Sequence, residues 1–155
     1  MRAINLVNPH MILEARISRE VLIRHNTGTI KAMLGVNNKK LNRRNRELVI
    51  PRQIGIVLAY IFTEESTTTA AGAFGKDHAM YSHCKNVLIN AIRFHDRLIM
   101  PDLVQVFKVL YNSHVHLVRI YKTLKPADQR MVDRVALRLD TSEIAQQLIK
   151  IVKNK

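Results

Sequence analysis

The fold turns on residues 66–94, which read STTTAAGAFGKDHAMYSHCKNVLINAIRF. Ser66, set before three threonines and a run of small residues, is an N-cap: its hydroxyl accepts from backbone N–H groups that a first helical turn leaves without partners. That short helix is expected to end at Phe74, and Gly75 enters the left-handed region with least strain and terminates it. Asp77 is then placed as the N-cap of a long helix from His78 to about Phe94, with Tyr81, Cys84 or Val87, Leu88 and Ala91 on its apolar face. Two helices joined by a three-to-four-residue turn containing glycine form a helix-turn-helix.

Outward from this unit the apolar residues recur at three and four, and nothing alternates as a strand hairpin does. The expected fold is all-α. Upstream, Asn8-Pro9 opens a helix carrying Ile12, Ala15, Val21 and Leu22 that stops near residues 25–28, and a second, shorter helix carries Ile30, Met33 and Leu34. A short turn of helix around residues 39–41 and an exposed loop follow, until Pro51 restarts a helix whose apolar face is Ile54, Val57, Leu58 and Ile61. Downstream, Pro101 opens a helix bearing the most regular stripe of the chain: Leu103, Phe107, Leu110, His114, Leu117, Tyr121 and Leu124. Pro126 and Thr141-Ser142 start two more amphipathic helices, with Met131, Val135 and Leu139 on one and Ile144, Leu148, Ile151 and Val152 on the other. The expected division is a helix-turn-helix domain over residues 1–112, with a helical extension over residues 113–155 packed on it.

The chain has 155 residues, long enough for one well-buried core. Its single cysteine, Cys84, excludes an intrachain disulfide and a multi-cysteine zinc site, and suits a reducing, cytoplasmic setting. No apolar run approaches the roughly 20 residues that cross a bilayer, so no membrane is expected as partner. Twenty-five Lys and Arg against twelve Asp and Glu give +13, which points to a polyanion. The charge is concentrated, since residues 37–52 hold six cations (Lys39, Lys40, Arg43, Arg44, Arg46 and Arg52) against the single anion Glu47.

Residues 73–85 crowd two histidines, an aspartate and the cysteine together, yet they do not read as a reactive centre. His78 and His83 are five apart and fall on different helix faces, whereas two ligands on one face want three or four. Cys84, inside an amphipathic helix, reads as a small buried hydrophobe. GAFGK is not a phosphate loop, because GxxxxGK[ST] is absent and no strand precedes it. No paired carboxylates and no serine elbow occur, so no enzyme activity, metal or cofactor is expected. A DNA reading, by contrast, needs polar residues at the start of the second helix, which enters the major groove first. Lys76, Asp77 and His78 stand there, where cation, carboxylate and imidazole can meet phosphates and base edges. Just upstream lies a basic loop whose arginines suit the adjoining minor groove.

With that basic loop, Pro51-Arg52-Gln53 opening one helix and Phe74-Gly75-Lys76-Asp77-His78 opening another, the sequence resembles the C-terminal DNA-binding domain of the bacterial replication initiator DnaA, from about Gly28 to Tyr111. The family's PRQ and FGGRDHTTV motifs occur here in order, with FGKDH one residue shorter than FGGRDH. The resemblance implies a trihelical helix-turn-helix of the TrpR and DnaA domain IV kind with additional C-terminal helices. It implies sequence-specific binding of double-stranded DNA, linked to replication initiation or its regulation, by a nucleoid-associated protein. By the same resemblance Arg44, or its neighbour Arg43, is the minor-groove arginine, and Arg52 and Gln53 contact the DNA backbone. Lys76 replaces the family arginine, Asp77 and His78 read bases, and His83 matches a family histidine whose role is read as structural. Lys39, Lys40, Arg46 and Lys85 complete the expected phosphate-contacting set. The chain departs from the family at Ala79 and Met80, where it has two threonines, at Tyr60, where it has lysine, and at Thr67-Thr68, where it has Leu-Pro. The ATPase domain of the family has no counterpart here. A second reading, from another class, is an adaptor or transcriptional regulator retaining the fold, with the C-terminal helices binding a partner or a second copy as a homodimer.

Overall fold

The computed structural model of the chain describes residues 27–35 and 46–154, whose regular structure is helical, with no strand among them. The helices are α1 (Thr27–Met33), α2 (Arg46–Phe62), α3 (Thr67–Ala73), α4 (Ala79–Phe94), α5 (Met100–Arg119), α6 (Pro126–Thr141) and α7 (Glu143–Lys153), with a 3-10 turn at Tyr121–Thr123. The all-α expectation therefore holds for the described residues. The helix expected to open at Asn8-Pro9 and the turn expected around residues 39–41 lie outside them. Thr27 and Gly28, expected at a helix end, belong to the start of α1.

Helix α2 is the axis of the packing and touches α1, α3, α4, α5 and α6. The sequence reading assigned it one apolar face, but Ile56 and Ala59 are as fully buried as Ile54, Val57, Leu58 and Ile61. A helix apolar on all sides is one surrounded by others, and that surrounding is a tertiary fact. Pro51 does not open this helix; it lies inside it, as its sixth residue. A proline there removes only one i→i−4 bond near the first turn, which the burial of the following turns outweighs.

The turn that the sequence singled out forms as a helix-terminating motif. Ser66 caps α3 by accepting from the Thr69 N–H at 3.1 Å. At the other end the Lys76 N–H reaches the Ala71 carbonyl and the Gly75 N–H reaches that of Gly72, both at 3.0 Å, with Gly75 at φ +76°. The connection from α3 to α4 takes residues 74–78, longer than expected, and α4 starts at Ala79. Asp77 acts one position early, its carboxylate accepting from the Ala79 N–H at 3.1 Å while His78 occupies the cap position without a side-chain bond.

Phe74 anchors this turn. It is fully buried, and its ring lies where Gly55 of α2 offers no side chain: a Cβ there would sit 2.4 and 2.5 Å from ring carbons and 3.1 Å from Leu34 Cδ1. The close approach of α2 to the turn thus depends on glycine.

Most of the long stripe on α5 is interior, with Leu103, Phe107, Leu110, His114 and Leu117 buried. It does not continue as one helix, because α5 ends at Arg119 and Tyr121 falls in the 3-10 turn, after which Leu124 tucks back into the core. The 112/113 boundary falls within α5. Burial holds His114 below its usual pKa. Phe107 stacks edge-on against Phe62, 5.4 Å between ring centres, tying α5 to the end of α2.

That end of α2 is closed by a residue the sequence did not flag. Arg138 of α6 is only 8% exposed, and one nitrogen of its guanidinium donates to the carbonyls of Tyr60, Thr63 and Glu65, the last two at 2.7 and 2.8 Å. Its Cζ lies over the Tyr60 ring, 4.0 Å from the ring centre, and Tyr60 meets Tyr81 of α4 with ring centres 4.9 Å apart. Burial lowers the Arg138 pKa, and it pushes Tyr81 up to about 12, with Tyr60 adding to the rise.

Two measurements check these packing arguments. Gly55→Ala is expected to destabilise the chain by about 1–3 kcal/mol in urea titrations, the overpacking cost exceeding the ~1 kcal/mol helix gain of alanine; an unchanged midpoint would show that Phe74 yields freely. Arg138→Met is expected to cost at least about 2 kcal/mol by leaving carbonyls without a donor, and Arg138→Lys to recover little of it, since an ammonium lacks the planar fork that stacks on Tyr60. Full recovery with lysine would mean that charge alone matters.

Candidate functional site

The N-terminal turn of α4 stands out from the body of the protein. Asp77, His78 and Ala79 are exposed, and farther along the helix so are Ser82, His83, Lys85 and Asn86. At 100° per residue His78, Ser82 and Lys85 lie on one face, and Ala79, Ser82, His83 and Asn86 share an adjoining one. The opposite side carries Cys84, Leu88 and Ala91, all buried. The result is a helix whose interior face is held and whose outer face is polar over its first two turns.

Beside it a cleft of about 120 Å³ separates α4 from the first half of α2, lined by Arg52, Gln53, Lys76, Met80, His83 and Cys84 among others. Four residues expected at the site on sequence grounds are therefore brought together: Arg52 and Gln53 from α2, Lys76 from the turn and Met80 from α4. Lys76, Gln53 and Met80 are half-buried. Arg52 is only 5% exposed, and burial lowers its pKa. It was expected to present itself at the surface; instead it forms part of the wall between the two helices, because its position on the surrounded helix α2 faces α4.

His83, matched by resemblance to a family histidine read as structural, lies on the outer side of α4. It is exposed and borders the cleft, so it joins the outer face of α4 and leaves the core to Cys84. Ser82 and Asn86 were not singled out from the sequence, although their spacing from Ala79 carried the signal. Lys39, Lys40, Arg43 and Arg44 lie outside the described residues, and Arg46 begins α2.

Two other chemistries can be judged from the geometry. Among the described residues no three His, Cys, Asp or Glu side chains gather as a metal site. Cys84 is 1% exposed, and burial pushes its thiol up to about 11, against the opposing pull of Arg52 and Lys76. Among the described residues no helix is long and apolar enough to cross a membrane.

The buried thiol makes a direct test of this packing. A disulfide reagent at pH 8 is expected to modify Cys84 at least about a hundredfold more slowly in the folded chain than in urea, the thiolate fraction alone supplying that factor. Equal rates would mean that the α2–α4 contact opens readily. Comparison with known proteins adds no identity to this geometry: no family model matches the chain, and neither a curated protein nor a solved structure does.

Proposed function

We propose that the chain is a sequence-specific double-stranded DNA-binding protein of the initiator helix-turn-helix kind, acting in replication initiation or its regulation. The observation that carries this reading is the outer face of α4, which begins with exposed Asp77, His78 and Ala79 directly beside a cleft holding Arg52, Gln53 and Lys76, in a chain of net charge +13. In this reading α3 crosses the backbone and the start of α4 enters the major groove, where a carboxylate accepts from a cytosine amino group and imidazole meets a purine acceptor or a phosphate. Lys85, on the same face as His78, follows the phosphates, and the basic residues from Lys39 to Arg46 approach the adjoining minor groove, with Arg44 or Arg43 inserted.

The departures from the family bear on specificity. Ala79 offers a methyl group for a thymine methyl in place of a threonine hydroxyl, and half-buried Met80 contributes to the cleft and not to base contacts. Tyr60, at a family lysine position, is engaged by Arg138 and Tyr81 and is withdrawn from DNA.

The test is selection of duplexes from a random pool, followed by anisotropy titration of the enriched site. Arg44→Ala and His78→Ala are each expected to weaken that site by about 1–3 kcal/mol, roughly five- to 150-fold, with little effect on scrambled duplex. Lys40→Ala is expected to weaken all sequences alike and to reduce the salt slope by about one. No enriched motif, or equal affinity for enriched and scrambled duplexes, overturns the specificity; insensitivity to salt overturns the phosphate contacts.

A further inference from the structure

The far end of α4 carries a different surface. Two adjoining cavities, of about 470 and 630 Å³, share His95 and Ile151 and together form a groove between the end of α4, the start of α5 and the length of α7. Its walls include Ile89, Ile92, Met100, Val104, Ile151 and Val152, all only partly buried against the core. Phe94, the last residue of α4, and Leu98 in the α4–α5 connection are 73% and 50% exposed. A chain that buries its stripe on α5 so completely leaves these apolar side chains partly open at the end of α4.

The charge around the groove selects the occupant. Arg93 and Lys108 line it, and Lys150 is exposed beside Ile151 on α7, against Glu143 as the anion in the lining. Asp96 is turned into the α4–α5 connection, where its carboxylate accepts from the N–H groups of Leu98 and Ile99 at 2.8 and 3.2 Å. A second copy of a +13 chain would bring like charge to a cation-bordered groove, and a polyanion without apolar groups would leave the walls uncovered.

We infer that this groove docks an acidic amphipathic helix of a partner protein, its apolar side chains at i, i+3, i+4 and i+7 entering the groove while its carboxylates meet Arg93, Lys108 and Lys150. The groove lies toward the opposite end of α4 from His78, its nearest wall residue Ile89 about 17 Å along the helix at 1.5 Å per residue, so a partner seated here leaves the start of α4 open.

The probe is a fluorescein-labelled helical peptide with leucines at those spacings and glutamates elsewhere, titrated by anisotropy against the full-length chain beside a scrambled peptide of identical composition. The patterned peptide is expected to bind at least about tenfold more tightly than the scrambled one. Lys108→Glu, at an exposed position, is expected to weaken it about fivefold with the thermal melt unchanged, and Val104→Glu to abolish the preference for pattern. Equal binding of both peptides reduces the attraction to bulk charge and overturns the proposal, as does failure of the patterned peptide to bind. A dimer in sedimentation velocity that Lys108→Glu dissolves assigns the groove to a second copy and overturns it as well.

Discussion

The guanidinium of Arg138 closes the carbonyl end of α2, and the arrangement of the helices around that axis depends on it. The last carbonyls of any helix lack intrahelical partners and carry the negative end of its dipole, so a helix end buried in a core needs donors and positive charge brought to it. Thr63 meets part of the need by donating its hydroxyl to the Ala59 carbonyl. Arg138 reaches across 73 to 78 residues of sequence from the last turn of α6, donating to the carbonyl of Tyr60 and to those of Thr63 and Glu65 just beyond the helix. The charge is desolvated, but it is compensated by three oxygens and the face of Tyr60, which is how a buried cation is tolerated.

From this contact the two ends of the molecule acquire their roles. Tyr60 passes the contact to Tyr81 and hence to α4, while α6 holds α7 against α4 and α5. The first turn of α4 is therefore held by the Arg138 cluster through Tyr81 and by Phe74, which seats the preceding turn against Gly55, while buried Leu88 and Ala91 hold its later turns. One end of the helix presents Asp77, His78 and Ala79, and the other contributes Ile89 and Ile92 to an apolar groove. A rigid helix fixed at two points holds both surfaces in register with each other.

Local chemistry carried much of the fold into the sequence. Ser66 and Ser142 cap α3 and α7, Gly75 takes the left-handed position, and Pro101 and Pro126 stand at helix starts, all as their residue types require. The signals that misled were those whose meaning depends on neighbours. Pro51 looked like a helix start because proline usually is one, and Asp77 capped from one position earlier than its type suggested. Arg138 did leave a trace, lying seven residues after Met131 and three after Val135 on the buried face of α6, but an arginine on an apolar face has no interpretation until its acceptors are known.

The sequence by itself determined the helical class, most helix boundaries, the +13 charge with its concentration in residues 37–52, and the polar start of α4, because capping, periodicity and composition act over one or two turns. Tertiary structure alone decided that α2 is surrounded, that Arg52 lines a cleft, that Gly55 must lack a side chain, and that the α5 stripe is core while the open apolar surface lies at the α4–α5–α7 groove. Each of these depends on which side chains meet across tens of residues, and burial, unlike a cap, is a property of the pair.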